Sequence, residues 1–237
     1  MGNKSSQKFW MGLALGTLGG VFAAKKLLHK ERMPNAKPWQ RILAEQRGEI
    51  DAAVFMARVQ SHYEELKARR PIFDRAIFNL HVLHDLLPGL ALYLTLREDG
   101  LDEDAAIEKI HQIFEAWFTL YPPVNMNFVV QMGSLLEDFD VFRRLTQFFM
   151  DKFFPSPGWQ YEIVADDERA YAFDIHSCFY LDVLTYYDSP ELTPVFCRLD
   201  DVLMDSFPDA IRWKRSGTIG QGDECCDFRW EYVPPEA

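Results

Sequence analysis

The chain has 237 residues, 48% of them hydrophobic, which is enough apolar material for a packed core and argues against a disordered chain. Its formal net charge is −11, but residues 1–32 carry +5 and the remaining residues −16. An acidic body without a basic stripe repels phosphate backbones, which argues against nucleic acid as a partner. The four cysteines show no regular zinc-ligand spacing and predict free thiols in a reducing compartment.

Residues 1–32 form a hydrophobic N-terminal segment. Its uncharged run, 9–24, is closed by two lysines. Glycine recurs in this run every four residues, a spacing that lets membrane helices approach closely, at Gly12, Gly16 and Gly20. A spanning helix needs about 20 apolar residues, so we predict a membrane anchor over 9–28 whose lysines reach the headgroups. A cleaved signal peptide and a soluble helix are the alternatives.

Basic residues flank this run on both sides, four after it and two before it. The positive-inside rule therefore predicts that the main domain, 33–237, lies in the cytoplasm, in agreement with unpaired thiols. The first six residues also match the N-myristoylation pattern, with Gly2 as the acceptor. That pattern has meaning only in a eukaryotic host.

The middle of the chain, 33–155, predicts a layer of helices. A linker is expected at 33–38, and a break in the helical pattern at Pro88-Gly89. Apolar residues recur at helical spacing in four stretches, about 49–69, 72–98, 102–120 and 134–153.

His81, His84 and Asp85 resemble a metal-ligand cluster within the second of these stretches. Such residues are more often part of a helical scaffold, and we assign them to it. The sequence contains no glycine-rich phosphate loop, no GxSxG nucleophile elbow and no HExxH zinc motif.

The periodicity changes after Gly158, where the chain predicts a small antiparallel sheet. Large apolar residues alternate with polar ones in two runs that an acidic link joins into a hairpin. The predicted elements are strands at 159–164 and 170–175, helices at 178–187 and 190–206, and strands at 211–219 and 225–232. The predicted fold is α+β, with the order β-β-α-α-β-β in residues 159–232 and the helical part 33–155 packed on the sheet.

Cysteine and aspartate residues recur together in this C-terminal part. Cys178 lies just past a strand, Cys197 lies one helical turn before Asp200, and Cys226 is next to Asp227 in the last strand. Each cysteine taken singly is a favoured buried residue. We nevertheless predict that these thiols and carboxylates meet at one edge of the sheet, with the adjacent fourth cysteine facing elsewhere.

Four motifs run through this region in order, FDIHSC at 173–178, PELTPVFCRLD at 190–200, RSGTIGQG at 215–222 and CDFR at 226–229. Their order and spacing resemble the L-2-amino-thiazoline-4-carboxylic acid hydrolase family. The helical region fits that family in general character, and the N-terminal segment lies outside the resemblance. The resemblance implies a hydrolase without a cofactor or metal. It would open a small cyclic isothiourea by adding water at the amidine-like carbon.

Such a ring opening requires a nucleophile and groups that stabilise the substrate cation. We expect Cys178 or Cys197 to attack as a thiolate. Asp200 or Asp227 would hold the amidinium and relay protons, with Cys226 in the same catalytic group.

The remaining candidates concern the base and the substrate carboxylate. His176 is a candidate general base, and Arg215, supported by Thr218, is a candidate anchor for the carboxylate. Arg215 could instead form an ion pair with one of the aspartates. Arg215 and His176 are also the candidates for lowering a thiol pKa. Gly222 would permit a tight turn beside the substrate.

The alternative to an enzyme is a membrane-tethered binding module that holds zinc. Its ligands would be Cys178, Cys197, Cys226 and either His176 or an aspartate. A third hypothesis is a membrane-associated scaffold whose acidic body contacts other proteins. Metal analysis distinguishes the first alternative from a hydrolase that acts on a small molecule.

Overall fold

The structure is a computed structural model that describes residues 32–121, 138–205 and 207–234. The predicted membrane anchor, the myristoylation pattern at Gly2 and the start of the fourth predicted helix lie outside these residues. The residues from Asn35 onward form one unit by their contacts.

Helices precede the sheet and form a layer that packs on it. They are α1 (Ala36–Arg47), α2 (Glu49–Ala68), α3 (Ala76–His81), α4 (Leu87–Glu98), α5 (Glu103–Leu120) and α6 (Phe139–Phe153). Side-chain caps begin two of them: Asp102 accepts a 2.9 Å hydrogen bond from the amide of Ala105 at α5, and Asp138 caps α6. Helical periodicity in the sequence predicted α2 to α6, in the stretches 49–69, 72–98, 102–120 and 134–153, but not α1.

Helix α1 occupies the second half of the predicted linker, so that prediction is wrong from Ala36 onward. Its buried residues Trp39, Ile42 and Leu43 recur at helical spacing. The Trp39 ring stacks on Phe114 of α5 at 5.2 Å. Burial of this aromatic side chain against a distant helix stabilises α1 despite the proline in its first turn.

The predicted break at Pro88-Gly89 is also wrong, because α3 continues into α4 through a π-helical turn, Val82–Leu86. In a π-helix the carbonyl of Leu83 would pair with the amide of residue 88, but proline has no N–H. The Tyr63 hydroxyl of α2 donates to the Leu83 carbonyl instead, at 3.2 Å. The helix therefore passes the proline with that carbonyl satisfied.

Among the described residues, one helical stretch, Ala76–Glu98, is long and apolar enough to cross a membrane. Of its apolar window, 61% is buried inside the fold. Packing against the other helices and the sheet accounts for its composition, as in the core helix of a globular domain.

The sheet consists of β1 (Trp159–Asp166), β2 (Ala170–Cys178), β3 (Ile211–Lys214) and β4 (Cys226–Tyr232). Its strands are antiparallel in the order β1-β2-β4-β3, and α7 (Phe179–Tyr186) and α8 (Thr193–Met204) lie between β2 and β3 in the chain. Aromatic rings fill the face toward the helices, where Phe173 stacks on Phe228 at 5.1 Å and Phe142 of α6 packs on Trp230 at 5.7 Å. The predicted α+β fold with a β-β-α-α-β-β C-terminal part is confirmed.

Strand β3 ends at Lys214, five residues before the predicted end. Arg215 turns inward to α8, and the amide groups of Ser216 and Gly217 donate to the Asp227 carboxylate, each at 2.8 Å. These amide groups are therefore used by a side chain rather than by a strand ladder. The chain then makes a short 3-10 turn, Ile219–Gln221, before β4.

Candidate active site at the end of the sheet

A β-bulge directs Cys178 toward the helices. The pairing of β2 with β1 passes from Ile175 to Ser177 and skips His176, which shifts the alternation of side chains by one residue. Cys178 then falls on the same side as Ile175, whose partner across the sheet is Cys226. Two of the predicted thiols therefore lie on one face at one end of the sheet.

The short turn Ile219–Gln221 connects this end of the sheet to α8. The amide of Ile219 donates to Cys226 Sγ at 3.2 Å. Gly220 approaches α8 so closely that a Cβ there would lie 2.8 Å from Thr193 Cγ2 and 3.1 Å from Cys197 Sγ. The close approach requires glycine and places Cys197 next to the turn that holds Cys226.

Burial raises the pKa of each of these thiols. It raises the pKa of Cys197 to about 12, with Asp200 and the two other thiols adding to the shift, and the pKa of Cys226 to about 11. The pKa of Cys178 is also raised by burial, but the amide groups of Tyr180 and Leu181 at the start of α7 oppose the rise. Burial therefore favours the protonated form of these thiols, although the positive charge of Arg215 opposes the rise at Cys226.

Arg215 forms the ion pair that the sequence offered as its alternative role. It donates to Asp200 at 2.8 Å, to Asp201 at 2.7 Å and to the Cys197 carbonyl at 2.9 Å. The Arg215 side chain is 7% exposed, whereas that of Asp200 is 41% exposed. The Arg215 guanidinium is therefore buried beneath the Asp200 carboxylate. Asp200 and Asp201 balance its charge.

Asp200 is the acidic residue of the site whose pKa best suits a general base. Burial raises the pKa of its carboxyl to about 6, although Arg215 acts to lower it. The negative charge of Asp200 in turn contributes to the raised pKa values of Cys178 and Cys197. Asp200 therefore borders both thiols and still reaches solvent.

Thr218 and Gly222 stabilise the conformation of the loop. Thr218 is 2% exposed; its amide donates to Asp223 at 2.8 Å, and its hydroxyl bonds to the side chains of Gln221 and Cys197. Gly222 has φ +96° with open space around the position of a Cβ, so it is required by the turn.

Asp227 and His176 lie apart from the thiols. The Asp227 carboxylate accepts from the amide groups of Ser216 and Gly217 and from the Ser216 hydroxyl at 2.6 Å. It faces Asp174 across the strands, on the opposite face of the sheet from Cys226. The His176 side chain is half exposed, with Nε2 4.0 Å from the Glu162 carboxylate.

The fourth cysteine, Cys225, also faces away from the thiol group. Burial raises its pKa, and the charges of Asp174 and Asp227 add to the shift, which places it near the outer face of the sheet. The adjacent Cys226 is buried on the inner face. The opposite orientations agree with the alternation predicted for this strand.

One cluster near the thiols was assigned to the scaffold in the sequence analysis. His81 Nδ1 lies 2.8 Å from Asp85 Oδ2 and 2.9 Å from the Tyr180 hydroxyl, and that hydroxyl lies 2.9 Å from Asp85 Oδ2. The spacing of four residues between His81 and Asp85 indicated their contact. The sequence held no signal that Tyr180, two residues after Cys178, would join them.

Across residues 32–121, 138–205 and 207–234, no three His, Cys, Asp or Glu side chains are grouped so as to hold a metal ion. The zinc-binding alternative therefore has no ligand set in this part of the chain.

The chain is similar to a known protein family. A family model described as L-2-amino-thiazoline-4-carboxylic acid hydrolase matches residues 81–230. A search of curated proteins gives no match. The matched region is more than half of the chain, begins at His81 and includes the thiols, Asp200 and Arg215. The chain therefore belongs to the L-2-amino-thiazoline-4-carboxylic acid hydrolase family.

Proposed function

We propose that this protein is a hydrolase that opens a small cyclic amidine or isothiourea derived from an amino acid, with Cys178 as nucleophile and Asp200 as base. The observation that carries the proposal is that Cys178 and Cys226 share one face at one end of the sheet, where the turn at Gly220 also meets Cys197. The charge of the solvent-reaching Asp200 acts on all three thiols. Family membership supports the same reaction type.

The charge of the site favours a cationic ring. A protonated amidine is a planar cation, and carboxylates bind such groups through charge-assisted hydrogen bonds. Asp200 and Asp85 both reach solvent, with side chains 41% and 42% exposed. A bound cation would also lower the pKa of the nearby thiols, because it would add a positive charge beside them.

Cys178 is the preferred nucleophile because two backbone amide groups at the start of α7 stabilise its thiolate. In the attack, its sulfur forms a bond to the ring carbon and its proton passes to Asp200. The ring bond to sulfur or nitrogen then breaks, and the departing atom takes up a proton. Water adds to the carbon, and the sulfur leaves with the proton held by Asp200.

The other residues support Cys178 and Asp200. Arg215 positions the Asp200 carboxylate, Cys197 and Cys226 complete the thiol group, and Thr218 bonds to Cys197. Asp227 and Gly222 act by stabilising the loop between β3 and β4, and His176 lies outside this group at the bulge of β2.

The test is whether the purified full chain opens the ring of L-2-amino-thiazoline-4-carboxylate. The reaction is measured as the loss of the ring absorbance. Cys178→Ser should abolish turnover and leave the far-UV spectrum of the folded protein intact. Cys225→Ser is the matched control and should retain both turnover and the spectrum. Mass spectrometry should find a substrate-derived adduct on the peptide that contains Cys178. A wild-type chain that fails to open this ring or a related cyclic amidine contradicts the proposal.

We also propose that 1–32 anchors a hydrolase domain, 33–237, to the cytoplasmic side of a membrane. The support is the composition and charge of the segment. If residues 33–237 expressed alone still sediment with membranes after a salt wash, the segment is not the anchor.

A further inference from the structure

The hydrogen-bond distances among His81, Asp85 and Tyr180 require one proton more than a neutral imidazole, an ionised carboxylate and a phenol supply. The Phe153 carbonyl, which can only accept, lies 2.7 Å from His81 Nε2, so that nitrogen carries a proton. His81 Nδ1, Asp85 Oδ2 and the Tyr180 oxygen then lie within 2.8–2.9 Å of one another.

A neutral imidazole and an ionised carboxylate would leave a single proton, that of the Tyr180 hydroxyl, for these three contacts. Two acceptors, His81 Nδ1 and Asp85 Oδ2, would then face each other at 2.8 Å without a donor between them. The arrangement is satisfied when a second proton is shared, as in an imidazolium beside a carboxylate.

His81 is buried and packed within the fold, whereas Asp85 reaches solvent. The His81 side chain is 7% exposed and packs against the rings of Phe154 and Trp159 at 5.3 and 5.2 Å. Asp85 belongs to the π-helical turn, a local geometry that is common at functional sites, and is 42% exposed.

Tyr180 connects this cluster to the thiols. It lies in the first turn of α7, and its backbone amide is one of the two groups that stabilise the Cys178 sulfur. Its ring packs on Phe196, the neighbour of Cys197, at 5.3 Å. Burial and the charge of Asp85 raise the pKa of the Tyr180 hydroxyl, and the charges of Cys178 and Asp200 act in the same direction.

We propose that Tyr180 is a further catalytic residue, which passes a proton from the His81–Asp85 pair to the ring atom that leaves; the inference rests on the proposed function. When the ring bond breaks, its electron pair goes to the departing atom, which takes the hydroxyl proton of Tyr180. The Tyr180 oxygen simultaneously takes the proton from His81 Nδ1. The later addition of water returns a proton to His81 by the same route.

This assignment gives the two acid–base tasks to separate groups. Asp200 takes the proton of Cys178 and returns it, while the cluster supplies and recovers the proton of the leaving atom. Burial and the nearby Asp85 raise the pKa of Tyr180 well above its usual range, so the phenol stays neutral and works by transfer through its oxygen.

Tyr180→Phe and Asp85→Asn test the relay in the full chain. Each should lower kcat for ring opening by about 100-fold or more, the usual size of a general-acid contribution. Tyr180→Phe should leave KM unchanged, whereas Asp85→Asn should also raise KM because it removes a carboxylate that faces the cationic ring. The control is Tyr187→Phe, which removes a buried tyrosine hydroxyl that donates to the Leu66 carbonyl at 3.2 Å and should retain kcat.

Proton NMR gives a second measurement that does not depend on turnover. The wild type should show a downfield imidazole proton that Asp85→Asn abolishes and Tyr187→Phe retains. Wild-type kcat in Tyr180→Phe, or the absence of that resonance in folded wild-type protein, would overturn the relay. If the wild type shows the resonance but opens no cyclic amidine, the proposed function fails and the shared proton stands.

Discussion

Replacement of Arg215 by alanine tests how the site sets the protonation of Asp200. Arg215 makes three hydrogen bonds, to Asp200, Asp201 and the Cys197 carbonyl. Its guanidinium also lies over the ring of Phe228 at 5.5 Å. The matched control is Arg212→Ala, which removes the same charge three residues earlier from an exposed side chain 3.8 Å from Glu231.

The loss of stability follows from these contacts. The two aspartates are 41% and 47% exposed, so their ion pairs contribute about 0.5–1 kcal/mol each after screening by solvent. The carbonyl hydrogen bond adds about 1–1.5 kcal/mol, and the contact with the ring adds about 0.5–1 kcal/mol. We expect Arg215→Ala to cost roughly 2.5–4.5 kcal/mol of unfolding free energy, and Arg212→Ala to cost no more than about 0.5 kcal/mol.

The effect on activity has a definite sign. Asp200 acts as a base when ionised, so kcat/KM should rise with pH through its pKa of about 6. Removing the Arg215 cation raises that pKa further, by roughly 1–2 units, because an adjacent opposite charge favours the carboxylate. The acidic limb of the pH profile should therefore move upward by the same amount.

Chemical denaturation and the pH dependence of kcat/KM check both expectations on the same protein samples. Arg212→Ala should reproduce the wild-type limb. An Arg215→Ala variant that folds, is as stable as Arg212→Ala and keeps the wild-type acidic limb would refute the ion-pair role of Arg215.

Two further predictions concern the loop. Gly220→Ala should reduce turnover and cost about 1–3 kcal/mol of stability, because its Cβ would meet Thr193 Cγ2 at 2.8 Å and Cys197 Sγ at 3.1 Å. Adding Thr193→Ser removes that methyl group and should restore part of the activity; no recovery would place the conflict elsewhere. Asp227→Asn should cost about 1–2 kcal/mol at pH 7 by denaturant titration. Burial opposes the shift, but the donors on Ser216 and Gly217 lower the Asp227 pKa, so the difference should shrink as pH falls below about 4. An unchanged difference at pH 3 would contradict this origin.

The family motifs and the C-terminal fold could be predicted because they depend on residues close together in the chain. Alternation between large apolar and polar residues located the β1–β2 hairpin, and helical spacing located α2 and α5. The expected break at Pro88 failed because the hydrogen bond that proline cannot make is replaced from another helix, by Tyr63. The sequence around Pro88 does not indicate that a distant side chain will replace this hydrogen bond.

By itself, the sequence determined the class of fold, the order of its C-terminal elements and the residue types available for chemistry. Tertiary structure decided which of them meet. It paired Arg215 with Asp200, turned Asp227 away to the loop and joined Tyr180 to His81 across 99 positions of sequence. It also decided that the thiols are protonated, because a pKa depends on burial and on charges brought near by folding, and neither is a property of the linear chain.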